Sequence, residues 1–591
     1  MKILLFCLFL IDHVSNNGKA SFDSFAPSSS NMVLTDNTRN SDKSCYGPCK
    51  FNVKPRRCQY KFKVEPAIQE DGSTTISING ITPGPPIHVC TGDVIVVEVL
   101  NKVPDQDITL HWHGVEQRGT PYMDGVPMVT QCPITYGSTY KYAFRASTPG
   151  TFFYHSDSVS HQSDGVYGAL IVHQPQPMEP NSALYDYDRS VENTLLIAAK
   201  FPQLMTASLD DLSLLQPDSL IINGDKRNSK IFVMPNYAYR LRLVNAIAIE
   251  CPVTVAIDQH EMLVITSDGR PVKPTALNVP GERMDVVVRA SSNSGGYWIR
   301  VWSSGACANA TGSAMLLYTG FNYTSMLNVG DIVANSDIPM HGQKLESLQP
   351  VSYSAIVKSV YLGIDKHMVR FQDSDNDFRY ISDAVPKKPF FPASLSLQQN
   401  GVVQINGKSF LYPNNPLLFM PNDASSNICI IGEEMKNPEP QCMLAINALQ
   451  GEVLELALVN EGFGSNDSYT FHLHGFSMQV VATWQNPGGT AISKENFYQL
   501  EKEGNRNNMV CVCLNLETPP IKDTIVVPNK GYTIVRIRPD QGGSWMLECR
   551  SCSLFSLPTA VVLNVALTLP KLISDSLPKC GSYRPPDILL N

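Results

Sequence analysis

A chain of 591 residues, 43% of them apolar, is long enough for several domains with sizeable cores, since one domain takes about 100–200 residues. Only 17% of residues are charged, while 42 are Pro and 38 are Gly, a balance that favours strands and turns over helices. The net charge of −8 and the lack of a long Lys/Arg run exclude a nucleic-acid groove or an anionic membrane surface as expected partners.

Residues 1–20 have the pattern of a signal peptide: Lys2, an apolar run from Ile3 to Ile11, then a polar stretch ending in Gly18, Lys19 and Ala20. That run is too short to span a bilayer, and no second run of about 18 apolar residues follows. The final PKCGSYRPPDILLN lacks the hydrophobic tail of a lipid-anchor signal, so a secreted, extracellular protein without a membrane anchor is expected. With Cys7 lost in the signal, 14 of the 15 cysteines remain. In an oxidising compartment most should form disulfides, with pairing that the sequence leaves open. The sequons at Asn309, Asn322 and Asn466 are expected N-glycan sites.

Residues 21–57 read as a Ser/Asn-rich, cysteine-containing leader. A first domain, 58–175, carries DVIVVEVL (93–100), YKYAF (140–144) and YGALIVH (167–173), short β-branched and aromatic runs between Gly, Pro and Asn. A second domain, 185–330, repeats the texture in SLIINGD (219–225), YRLRLVNA (239–246), MDVVVRA (284–290) and YWIRVW (297–302). Residues 331–390, of mixed polarity with Pro, read as a linker. A third domain, 391–568, carries GEVLELALVN (451–460), FSMQVVATW (476–484) and GYTIVRI (531–537), and residues 569–591 form a C-terminal tail. The expectation is an all-β chain of three repeated sandwich or barrel domains.

The chain has only 12 histidines, and five of them fall in His111-Trp112-His113-Gly114, His155-Ser156-Asp157 and His472-Leu473-His474-Gly475. Residues i and i+2 of a strand share a face, so each H-x-H aims two imidazoles at one point. Two such pairs facing each other from different domains would build an imidazole cluster suited to copper. The plainer alternative is that each ring is a satisfied core residue.

Four windows carry a resemblance: LHWHGVEQRGTPYMDGVPMVTQCPI (110–134), PGTFFYHSDSVSHQSDGVYGALIV (149–172), YTFHLHGFSMQVV (469–481) and KDTIVVPNKGYTIVRIRPDQGGSWMLECRSCSLFSLPTAVVL (522–563). The chain resembles the multicopper oxidases, in wording the insect-type laccases, which implies three consecutive cupredoxin-like Greek-key domains. The resemblance assigns His111 and His472 to the type 2 copper, and His113, His155 and His474 to the type 3 pair. Asp157, Glu548 and Arg550 stand where that family has further type 3 histidines. Of the type 1 set only Cys549 matches, because Tyr469, Leu554 and Thr559 occupy its other positions. The implied grouping is His111 with His472, His113 and His155 with Arg550, and His474 with Asp157 and Glu548. Asp124 matches an acid near the type 2 site that orients water, or is a turn residue ahead of Gly125.

A type 1 copper needs two histidines and a thiolate, so electron uptake from substrate, and with it reduction of O₂ to water, is not expected. Arg cannot ligate a metal and should pair with Asp157 and Glu548. Against this, His474, Asp157 and Glu548, with or without His111 and His472, could hold one metal ion. Cys549 and Cys552 form a C-x-x-C that reads as a buried free thiol or a local disulfide. The leading expectation is a secreted laccase-like homologue that is not a working laccase and acts as an extracellular binding or structural protein, with an unidentified partner. The alternative is a metal-dependent oxidoreductase of phenols or metal ions, or a copper-binding protein. Copper is expected at reduced stoichiometry or not at all.

Overall fold

The computed structural model describes residues 47–322, 345–367 and 402–567 apart from short interior stretches, together with Cys45, Leu577 and Cys580. The signal peptide and Leu554 lie outside the described residues. Within them, three cupredoxin-like domains follow one another, each built from two sheets.

In the first domain, one sheet takes Thr74–Ile78, Arg57–Ile68, Val94–Asn101 and Thr139–Arg145 in that spatial order, and the other Ile87–Cys90, Tyr167–His173, Gly150–Ser156 and Leu110–His113. Alternation explains the layering: Cys58, Phe62 and Val64 of the first strand turn inward while their neighbours face outward. They meet Leu110, Trp112, Phe152 and Leu170 of the opposite sheet in one core. The second domain pairs a six-stranded sheet centred on Ala238–Asn245 and Arg283–Arg289 with a four-stranded one centred on Thr311–Tyr318 and Gly296–Ser303. In the third, Leu454–Asn460 and Gly531–Ile537 lie mid-sheet opposite a sheet holding Thr559–Val565, Gly543–Cys549 and Tyr469–Leu473.

Two segments depart from the sequence reading. The expected linker, 331–390, contains a strand, Lys358–His367, that runs parallel to Leu454–Asn460 inside the third-domain sheet. Its buried stretch Val360–Asp365 lies between Lys358 and Lys366, and the flanking charge masked it. The tail reaches back: Cys580 is bonded to Cys132, and Leu577 sits in the first-domain core. Disulfides Cys45–Cys58 and Cys49–Cys90 tie the end of the leader to the first domain. Cys251–Cys307 and Cys429–Cys442 cross-link the second and third domains internally.

The first and third domains are packed together. Val126 and Val129 join the third-domain core, and Leu417 and Leu418 donate backbone hydrogen bonds to Met128 and Val129. This places the strand Leu110–His113 opposite the strand Tyr469–Leu473.

Candidate metal centre

Alternation on each strand sets the cluster. Trp112 points into the first-domain core against Tyr142 and Phe144, so His111 and His113 share the other face. His155 is added by antiparallel register, being the cross-strand partner of His111. In the third domain Phe471 and Leu473 enter the core, leaving His472 and His474 toward the first domain. All five rings are buried.

The hydrogen bonds fix which ring atoms face inward. His111 Nδ1 donates to the Asp124 carbonyl (2.8 Å) and His155 Nδ1 to the Ser156 carbonyl (2.8 Å). His472 Nδ1 lies 3.1 Å from the Asp523 carbonyl. Each of these rings therefore turns a bare Nε2 inward. The His111 and His472 Nε2 atoms face each other at 3.3 Å, and His155 Nε2 lies 3.1 Å from His113 Nδ1. Burial, and then the neighbouring His474, hold His111 well below the ordinary histidine pKa. Burial and then Arg550 do the same for His155, and burial with His113 pushes His472 down to about 3. The neutral His111 and His472 rings face each other with lone pairs, which repel unless a cation lies between them. Their 3.3 Å separation is readily bridged by two metal–nitrogen bonds of about 2.0–2.1 Å each. The donor set therefore fits a copper or zinc ion.

The other half of the cluster is ionic. His474 places Nδ1 2.8 Å from Asp124 Oδ2 and Nε2 3.2 Å from Glu548 Oε1. Burial lowers its pKa, but the two carboxylates more than offset this and bring it up to about 10. Burial raises the Glu548 carboxyl, but His474 and then Arg550 carry it down to about 2. Asp157 is pushed up to about 7 by burial and then by Glu548. Asp124 is a turn residue and a buried carboxylate at once. It ends the short 3-10 turn Pro121–Met123 ahead of Gly125, whose φ of +92° and 1.8 Å gap between a notional Cβ and the Leu110 carbonyl admit only glycine.

Of the expected groupings, His111 with His472, His113 and His155 with Arg550, and His474 with Asp157 and Glu548, the contacts His111–His472, His113–His155 and His474–Glu548 are present. One expectation needs correction. His474, Asp157 and Glu548 do not form one ligand set. Among the described residues, the groups with ligand atoms within 4.8 Å of one another are His111, His113 and His472, and His111, Asp124 and His474. Arg550 pairs with Asp157 and Glu548 as expected, its Nη1 3.9 and 3.6 Å from their carboxylate oxygens. Its Nη2 also donates to Gln162 Oε1 (2.6 Å) and the Ser156 carbonyl (3.2 Å). A guanidinium presents five N–H groups, and here neutral acceptors take the best-aligned ones.

The positions that the resemblance assigns to a type 1 copper make other bonds. Cys549, expected as a remnant copper thiolate, is instead bonded to Cys552, the local disulfide of the two C-x-x-C alternatives. The Tyr469 hydroxyl lies 2.7 Å from Ser465 Oγ, and Thr559 Oγ1 donates to the Val403 carbonyl (2.9 Å). Sequence reasoning missed Arg283, Asp523 and Thr524. Asp523 and Thr524 lie in the KDT that opens the fourth window, and Arg283 Nη2 is paired with Asp523 Oδ2.

Three multicopper oxidase family models match residues 62–177, 194–320 and 411–553. An L-ascorbate oxidase of Cucumis sativus is 26% identical over 587 residues, covering 89% of this chain and 92% of its own. Laccase-2 of Botryotinia fuckeliana is 27% identical over 560 residues, covering 89% and 86%. Among solved structures, Fet3p, described as a multicopper oxidase that functions in iron import, has a TM-score of 0.66 at 20% identity, covering 86% of this chain and 90% of its own. The laccase of Botrytis aclada has a TM-score of 0.66 at 23% identity, covering 88% and 91%. Domain by domain and in its overall fold, the chain belongs to the multicopper oxidase family.

Proposed function

We propose that this chain is a secreted laccase-like homologue that has lost the type 1 copper site and three of the trinuclear histidines, does not work as a laccase, and serves outside the cell as a binding or structural protein. The observation that carries this reading is the Cys549–Cys552 disulfide. A type 1 centre takes electrons from substrate through a copper held by one thiolate and two histidines. A disulfide sulfur is no thiolate, and Tyr469 brings a hydrogen-bonded phenol where the family has an imidazole. Without that port, four-electron reduction of O₂ has no route from a phenol to the histidine cluster. Six disulfides among the described residues suit an oxidising, extracellular setting. Asn309, Asn322 and Asn466 are all exposed, as N-glycans require.

A second reading, metal binding at reduced stoichiometry, is favoured by the facing lone pairs of His111 and His472, with His113 and His155 in contact beside them. A bound copper ion there would supply Lewis acidity or a one-electron redox couple. The chain's own residues hold the rings in place and keep His474 engaged by Asp124 and Glu548. A phenol or metal-ion oxidase would need an electron port other than the type 1 position.

Elemental analysis of the purified secreted protein, with optical and electron paramagnetic spectra and an oxygen electrode, tests both readings. The expected result is no intense blue band, no diphenol-driven oxygen uptake at laccase-like rates, and at most a fraction of the family's copper. A blue type 1 band, or rapid oxygen uptake with a diphenol, would overturn the non-laccase reading.

A further inference from the structure

Building on the metal-binding reading of the histidine cluster, we propose that Thr524 is a positioning residue whose hydroxyl decides which ring nitrogen of His113 is offered to an ion. Thr524 is buried at the start of the strand Thr524–Val527. Its Oγ1 donates to Asp523 Oδ1 at 2.9 Å. A hydroxyl has one proton and two lone pairs, so after that bond it can only accept. Both remaining sites face imidazoles: His113 Nε2 at 3.2 Å and His472 Nδ1 at 3.1 Å. The two rings are stacked with centroids 3.7 Å apart, which lets one hydroxyl reach both. Each ring must donate to it. His113 then carries its proton on Nε2 and presents a bare Nδ1, the atom that faces His155 Nε2 at 3.1 Å.

The proton on Thr524 is directed by a buried ion pair. Asp523 Oδ2 is held by Arg283 Nη2, and Arg283 Nε also donates to the Thr151 carbonyl (3.1 Å). An ionised carboxylate only accepts, so the hydroxyl must be the donor. The relay therefore joins Arg283 of the second domain, Asp523 and Thr524 of the third, and His113 of the first. It also packs against the glycine of the first H-x-H-G. Gly114 has φ +86°, and a Cβ there would lie 2.7 Å from Phe152 Cδ1, 2.8 Å from Arg283 Nη2 and 2.9 Å from Asp523 Oδ2.

The two rings do not depend on Thr524 equally. His472 Nδ1 has a second acceptor in the Asp523 carbonyl at 3.1 Å, equal to its distance from Thr524 Oγ1, whereas for His113 Nε2 the Thr524 hydroxyl at 3.2 Å stands nearer than Asp523 Oδ1 at 3.7 Å. Without the hydroxyl, His472 keeps its tautomer. His113 gains by moving its proton to Nδ1 and donating to His155 Nε2, which closes that pair of lone pairs and leaves His111 and His472 open.

The test uses full-length protein labelled with ¹⁵N-histidine, as wild type, Thr524→Val and Thr524→Ser, with Thr524→Ala replacing the valine variant if that does not fold. Long-range ¹H–¹⁵N spectra of chelator-treated protein read the tautomer of each ring. Wild type and the serine variant should carry the His113 proton on Nε2, and the valine variant on Nδ1, with His472 unchanged in all three. Calorimetric titration with Zn²⁺ should show the valine variant weakened about 10- to 100-fold, the usual cost of losing an outer partner of a ligating histidine, and the serine variant close to wild type. A His113 tautomer that is the same with and without the hydroxyl overturns the proposal. Absence of Zn²⁺ and Cu²⁺ binding to wild type would instead overturn the metal-binding reading, and the spectra would still decide the role of Thr524.

Discussion

The two halves of the histidine cluster solve the same burial problem in opposite ways. On one side burial holds His111, His155 and His472 neutral, and these rings and His113 are each pinned through an outer nitrogen. On the other, His474 has both nitrogens taken up by Asp124 and Glu548, with Arg550 nearby. The neutral half is completed by adding a cation. The ionic half already contains its cations, so the positive charge that copper supplies in this family is there provided by protein. What separates them is the residue at one position: a histidine at 548 would leave His474 Nε2 bare, while Glu548 captures it.

The largest expected effect lies in the outer wall of the neutral half. Arg283 and Asp523 have side chains 0% and 5% exposed. Arg283→Met leaves the Asp523 carboxylate buried without its cation, and breaking such a pair costs about 3–5 kcal/mol. Chemical denaturation should show a loss of that size, and a loss under about 1 kcal/mol would mean that the pair does not hold the domains around the cluster.

A smaller effect is expected from Arg550→Ala. A close buried ion pair with Asp157 and Glu548 would put its loss at about 3–5 kcal/mol. The observed bonds run to Gln162 and the Ser156 carbonyl, with the carboxylates 3.6 Å or more away. Hydrogen bonds to a charged group contribute about 1.5–3 kcal/mol, so that range is expected in denaturant melts. A loss above it would show that the 3.6 and 3.9 Å pairings with Glu548 and Asp157 contribute as fully as contact ion pairs.

How much of this was legible in the sequence follows from the range over which each feature acts. The H-x-H windows are local, and strand periodicity alone places His111 with His113 and His472 with His474 on shared faces. The substitutions at Asp157, Glu548 and Arg550 were equally visible, and so was their pairing by opposite charge. The Gln162 and Ser156 acceptors were not, because neutral partners leave no charge signal in the sequence. The strand Lys358–His367 escaped notice because its flanking lysines and Asp365 hide a buried run that only pairing with Leu454–Asn460 explains. Thr524 escaped because a hydroxyl's role depends on which neighbour takes its proton, and those neighbours come from positions 113, 472 and 523.

The smallest predicted effect separates the halves by pH. The folded pKa of His474, about 10, lies above its ordinary value of 6.5. Its ion pair therefore stabilises fully below pH 6.5 and loses that contribution as pH rises toward 10. The Glu548 carboxyl, at about 2 against 4.5, contributes above pH 4.5 and loses it as pH falls toward 2. Glu548→Gln removes one of the two carboxylates and keeps the shape, so the variant should melt below wild type at pH 6. As pH passes through 10 the wild-type imidazolium loses its proton and leaves a buried carboxylate facing a neutral ring, a cost the glutamine does not carry. The gap in melting temperature should therefore close between pH 6.5 and 10, and other titrating groups cancel because both proteins share them. A gap that stays constant across that range would show that His474 is neutral throughout, and would move it to the lone-pair side of the comparison.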